Sequence, residues 1–214
     1  MKAQLQRQQL VDLCHDLSQR GFFSGTGGNV ALRIDAENIV VTPSALDYHV
    51  MTAADVCVLR LSDLSIVDGE RQPSVETSLH AKVLRARPDV NCSIHTHQPV
   101  ASACALLGES LQIMDPNLRK ILGDCIPLVG YAPSGTAWLA KKLATSLRPD
   151  VNAYLMRNHG VLCCGTTIDS AVRAVEALEQ LTRQQLRLHI NPHAEKNSEL
   201  KTALQRVLHA LEQT

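Results

Sequence analysis

Aromatic residues make up 3% of this 214-residue sequence, so a surface that reads nucleic acid by stacking bases is not expected. Net charge is also missing. The 21 lysines and arginines balance 21 aspartates and glutamates, and no global field steers the chain to a polyanion or a membrane surface. No run of about 18 apolar residues suits a membrane span. The polar start MKAQLQRQQL does not read as a signal peptide, so a cytoplasmic protein is expected. There is no C-x-x-C pair and no even set of cysteines. The seven present, including the neighbours Cys163 and Cys164, read as buried reduced thiols and not as a disulfide framework or thiolate metal site. Internal repeats, low-complexity tracts and linkers are absent too. One domain over 1–214 is expected, with its core in about 5–190 and a peripheral segment 191–214.

What is present is a succession of short periodic segments. Leu10, Leu13, Cys14 and Leu17 recur at helical spacing, with Gly21 as a stop. A glycine-rich turn, Ser24-Gly25-Thr26-Gly27-Gly28-Asn29, leads into strands at 30–34 and 39–42 that form a hairpin. Segments 56–61 and 65–67 read as further antiparallel strands. Ser74 suits the N-cap of a helix with Val75, Leu79 and Val83 on its apolar stripe, ended by Pro88. Residues 90–97 read as a strand, and Pro99 opens the next helix. Residues 125–129 follow as a strand, and Trp138, Leu139 and Leu143 lie on a helix. Strands at 153–157 and 161–164 flank Asn158-His159-Gly160. A last strong helix turns Ala171, Val175, Leu178 and Leu181 inward, and its periodicity fades from about Asn191 before a short final helix. Hairpin-length links among these elements favour a mixed or antiparallel sheet covered by helices over a doubly wound parallel sheet.

The chemistry centres on His95 and His97. On a strand, positions i and i+2 share a face, so His-x-His aims two imidazoles at one point. Imidazole is the commonest zinc ligand, and a catalytic zinc usually has three protein ligands and an open position. Packed or solvent-facing histidines are the bland alternative. His159, in a turn at a strand end where functional groups collect, is a third candidate, against a histidine merely tolerated beside glycine. Glu76 in the first turn of its helix is either good for the helix dipole or a carboxylate that binds metal and moves protons. His80, one turn on beside the apolar stripe, reads as packing. The loop 25–29 suits either a phosphate cradle or a hairpin-entry turn. It lacks a P-loop lysine and precedes a strand, so neither the Walker nor the Rossmann pattern applies. Thr42-Pro43-Ser44 places two hydroxyls at a strand end.

Together, Thr26-Gly27-Gly28-Asn29, Thr42-Pro43-Ser44, Pro73-Ser74-Val75-Glu76, His95-Thr96-His97 and Asn158-His159-Gly160 occur in the order and spacing of the class II aldolase/adducin family, which the chain resembles over about 5–190. The resemblance implies a three-layer α/β/α sandwich with a central, mainly antiparallel sheet. In fuculose-type members it implies a C4 homotetramer. By residue match, His95, His97 and His159 would ligate Zn2+, or Mn2+ or Co2+ in its place. Glu76 would complete the resting site and then act as acid/base, and Gly28, Asn29, Ser44 and Ser74 would hold the substrate phosphate. The implied reaction is zinc-dependent cleavage of a small ketose phosphate, of the fuculose 1-phosphate type, to dihydroxyacetone phosphate and an aldehyde. Dehydratases of the methylthioribulose-1-phosphate type, 4-epimerases and decarboxylases of the same family are the alternatives, and a non-catalytic adducin-like binding module lies further off. Ala45 stands where the fuculose-type pattern has glycine, Val75 where it often has serine, and 112–124 contains no tyrosine.

Overall fold

The computed structural model describes residues 2–23, 25–197 and 199–213; Ser24 of the glycine-rich turn lies outside the described residues. Helix α1 (Gln4–Gln19) buries Leu10, Leu13, Cys14 and Leu17. Gly21 adopts φ +75, the left-handed conformation that glycine accepts without a Cβ penalty, and so ends the helix where the sequence placed its stop. Strands β1 (Asn29–Arg33), β2 (Asn38–Val41), β3 (Cys57–Arg60) and β4 (Ile66–Asp68) follow as an antiparallel meander. After α2 (Thr77–Ala86), β5 (Cys92–Thr96) enters the middle of the sheet. Next come α3 (Pro99–Ala105), β6 (Leu111–Gln112), α4 (Pro116–Leu122), β7 (Cys125–Ile126), β8 (Leu128–Val129) and α5 (Ala137–Ser146). Strands β9 (Ala153–Met156) and β10 (Gly160–Gly165) form a tight hairpin, and α6 (Ile168–Lys196) and α7 (Lys201–Gln213) close the chain.

The main sheet has eight strands in the order β4-β3-β2-β1-β5-β10-β9-β8. Every neighbouring pair is antiparallel except β8 with β9. Side chains alternate across it. Val30, Leu32, Cys92, Ile94, Val161 and Cys163 enter one apolar layer with α1, α3 and α6, and Ala31, Leu162 and Cys164 enter another with α2 and α5. The three-layer α/β/α sandwich and its mainly antiparallel sheet are as the resemblance implied. No helix among the described residues is long and apolar enough to cross a membrane.

Four local expectations need correction. Helix α2 begins at Thr77 with Glu76 as its N-cap, so Ser74 is not the cap; its hydroxyl instead accepts the Glu76 N–H at 3.3 Å. Val75, placed on the inward stripe by its spacing, lies outside the helix and is 67% exposed. The strand at 125–129 is two short strands in different sheets, because Pro127 has no N–H to continue one ladder. Helix α6 does not fade at Asn191 but continues through Pro192 to Lys196; Ala194 is buried and α7 packs alongside, with Leu211 turned in. Tertiary packing there outweighs a proline cost of about 3 kcal/mol.

Candidate metal centre

One edge of the central strands assembles the site. Antiparallel register sets Asn29 of β1 and Leu162 of β10 on either side of His95, and Ala31 beside Ser93. These residues share the face covered by α2. Helix α2 lies over them with Glu76 at its start and His80 one turn later. His97 follows the end of β5, and His159 sits in the β9–β10 turn beside Asn158, which takes φ 54. Gly160 makes that approach possible. A Cβ there would lie 2.4 Å from the Thr96 carbonyl oxygen and 2.6 Å from the His97 ring.

The donor atoms converge. Glu76 Oε2 lies 3.1 Å from His95 Nε2, and Glu76 Oε1 lies 2.9 Å from His159 Nε2. His95 Nε2 is 2.9 Å from His97 Nε2 and 3.0 Å from His159 Nε2. All four ligand atoms fall within 4.8 Å of one another. His95 Nδ1 sits 2.7 Å from the Val161 carbonyl and donates its proton there, so Nε2 carries a lone pair pointing at the other imidazoles. Lone pairs gathered around one point suit a shared cation. Tetrahedral zinc with bonds of about 2.1 Å places its ligand atoms about 3.4 Å apart, close to the spacing of this set. The residues therefore fit a divalent metal.

Burial and charge set the titration of the group. Burial acts to raise the Glu76 carboxyl, but the neighbouring His159, His95 and Asn29 outweigh it and hold the group well below the usual carboxylate range. Burial, reinforced by His95 and His159, lowers His97 to about 4. His95 and Glu76 are buried, whereas His97 is exposed and marks the open side of the cluster.

The expected phosphate residues are distributed around this core. Gly28 takes φ +88, and a Cβ on it would come within 3.0 Å of the His95 carbonyl oxygen. Asn29 Nδ2 donates to Glu76 Oε2 at 3.0 Å. Ser44 and Ser74 lie in two adjacent extended segments joined at Pro43 and Pro73. Their own N–H groups are used in that join, to Gln72 O at 2.9 Å and Thr42 O at 3.0 Å, which leaves the two half-buried hydroxyls. Ala45 adopts φ 52, which explains why the related pattern carries glycine there.

Two participants escaped the sequence reading. Ser134, between β8 and α5, donates to Glu76 Oε1 at 2.8 Å from 58 residues away, and no local pattern signals that contact. His80 is fully buried as expected of a packing residue, yet both its ring nitrogens are bonded: Nδ1 to Ser93 Oγ at 2.8 Å and Nε2 to Asn29 Oδ1 at 2.7 Å. Its i+4 spacing from Glu76 was the available signal.

Residues 8–186 match the model of the class II aldolase and adducin N-terminal domain. A 5-deoxy-D-ribulose 1-phosphate aldolase of Bacillus thuringiensis is 32% identical over 180 residues, covering 84% of this chain and 83% of its own. An L-fuculose phosphate aldolase of Methanococcus vannielii is 31% identical over 176 residues, covering 82% and 92%. A solved L-fuculose 1-phosphate aldolase superposes with a TM-score of 0.81 at 24% identity, over 99% of this chain and 98% of that one, and shows the shared fold. The chain thus belongs to the class II aldolase and adducin family, as one of its aldolases.

Proposed function

We propose that this aldolase cleaves a small ketose 1-phosphate to dihydroxyacetone phosphate and a short aldehyde, with zinc held by Glu76, His95, His97 and His159. The observation that carries the reading is the convergence of three imidazole nitrogens and one carboxylate within 4.8 Å, open to solvent at His97. A divalent metal bound there supplies Lewis-acid stabilisation of the negative charge that carbon–carbon cleavage leaves on the ketone oxygens. Glu76 moves the protons: it is ionised, buried and oriented by Asn29 and Ser134. The hydroxyls of Ser44 and Ser74, the Gly28 turn and the second N–H of the Asn29 amide form the phosphate handle, whose binding fixes the reacting carbons. The fuculose and 5-deoxyribulose relatives support substrates with a terminal deoxy carbon. Exposed apolar Val75, Met114, Tyr131 and Trp138 support the homotetramer.

The test is metal content followed by product analysis. About one zinc per chain, lost in a His95→Ala/His97→Ala double variant, and release of dihydroxyacetone phosphate from L-fuculose 1-phosphate or 5-deoxyribulose 1-phosphate are expected. A zinc-loaded protein that leaves both carbon skeletons intact would sink the cleavage reading.

A further inference from the structure

We infer that His80 is a positioning residue of the metal centre, which fixes the Asn29 amide so that its N–H side faces Glu76. The inference rests on the reading of Glu76 as metal ligand and base. It follows from counting donors and acceptors along one buried chain of hydrogen bonds, Ser93–His80–Asn29–Glu76.

An ionised carboxylate only accepts, so the group that Asn29 turns to Glu76 is its NH2. The amide oxygen then faces His80 Nε2, which must carry the proton. A neutral imidazole protonated at Nε2 is bare at Nδ1, and Nδ1 accepts the Ser93 hydroxyl. Every role is fixed by the one before it. His80 is fully buried on α2, and Ser93 is fully buried on β5, so water cannot replace either partner. Burial first, then the nearness of His95, depresses His80 to about 3, which keeps the ring neutral as the chain of roles requires.

Without the His80 donor, the Asn29 amide oxygen loses its buried partner, and only the Glu76 carboxylate is left to hold the amide in place. A flipped amide would set its carbonyl oxygen against the Glu76 carboxylate, a repulsive contact that would push the carboxylate out of the ligand cluster. His80 thus acts on the metal without touching it, through a neutral amide, and helix α2 carries both the carboxylate and its orienting device on one face.

The experiment compares wild type with His80→Leu, which keeps apolar bulk without a donor, and His80→Gln, which keeps an N–H near the Nε2 position. Ser93→Ala, which removes only the hydroxyl that pins Nδ1, is the milder companion if the leucine variant does not fold. Zinc affinity is measured by competition with a chelating dye, kcat and KM by dihydroxyacetone phosphate release, and the wild-type tautomer by nitrogen-15 NMR of labelled histidine. His80→Leu is expected to lose about 10–100-fold in zinc affinity, with lower kcat and KM within about twofold of wild type. His80→Gln is expected to recover most of both losses, Ser93→Ala to fall between, and the wild-type ring to be the Nε2–H tautomer. An Nδ1–H tautomer would overturn the inference. So would a folded His80→Leu, or failing that a Ser93→Ala, with unchanged zinc affinity, or a glutamine variant as impaired as the leucine one. A wild-type protein that binds no zinc would overturn the metal reading and this inference with it. One that binds zinc without cleaving sugar phosphates would overturn the reaction alone, and affinity and tautomer would still decide the role of His80.

Discussion

Both faces of the central sheet carry an apolar layer, but a polar seam is set into the one under α2. Along β5, Cys92 and Ile94 enter an apolar layer beneath α1, α3 and α6, while Ser93 and His95 enter a polar seam beneath α2. Along β1, Val30 joins the first and Asn29 the second. On the apolar side any side chain of suitable volume serves, because dispersion and exclusion of water ask for no particular partner. On the polar side each buried donor requires its acceptor, because an unpaired one costs about 1–3 kcal/mol. A single residue step along a strand therefore crosses from stability to reactivity.

Four substitutions or conditions test that division. Glu76→Gln, on the polar side, is expected to bind zinc more weakly yet still load when the metal is in excess, and to lose about 10²–10⁴-fold in cleavage rate, read by metal analysis and steady-state kinetics. Full activity in this variant would abolish the role given to the seam. Ile94→Ala, fully buried on the other face of the same strand, is expected to destabilise the protein by about 2–5 kcal/mol. Urea unfolding measures this, and zinc affinity of the folded fraction should be unaltered; a shift in that affinity would mean the faces are not independent.

Acid comes third. His80 is depressed to about 3 in the folded protein, so the unfolded chain binds the proton more readily as pH falls below about 6.5. Stability from its neutral burial is full above that pH and declines toward pH 3; Glu76, also depressed, adds a loss in the same direction at lower pH. Thermal unfolding of the metal-free protein should move down steadily between pH 7 and 4, less so in His80→Gln. A flat profile would argue against neutral burial of this ring. The smallest effect is expected at Ala45, whose φ of 52 is strained for a residue with a Cβ. Ala45→Gly should relieve about 1 kcal/mol, partly offset by the greater freedom of glycine in the unfolded chain, for a slight rise in the melting temperature.

How far the sequence carried depends on the range of the interaction concerned. His95 and His97 were legible because a period of two places them together without any knowledge of the neighbouring strands. His159 and Glu76 became legible when their motifs were read in register with that pair. The strands read at 30–34 and 90–97, and the inward stripe of α6, rested on local patterns and survived. Ser134 was not legible, since its contact with Glu76 depends on where the segment before α5 crosses the sheet. His80 was half legible: burial follows from its place beside the stripe, but its hydrogen bonds depend on strands 13 and 51 residues away. The start of α2 was placed two residues early, at Ser74 and Val75, because the chain tightens at 74–77, where Thr77 N–H and its hydroxyl both bond the Ser74 carbonyl. The end of α6 was misread at Asn191 because fading periodicity is a local signal and the packing of α7 is not.

The strand order also sets when the centre can exist during folding. Its proposed ligands come from residue 76, from 95 and 97, and from 159, and the strands that align them pair 29 with 95 and 95 with 162. Such pairings close long loops and form late relative to local helices and the β9–β10 hairpin. On a growing chain, His159 emerges after more than two thirds of the sequence, so the apolar face must gather without help from any ion. Metal would then act as a latch and not as a nucleus: present during refolding it should leave the folding rate nearly unchanged and slow unfolding instead, the kinetic signature of contacts made after the transition state.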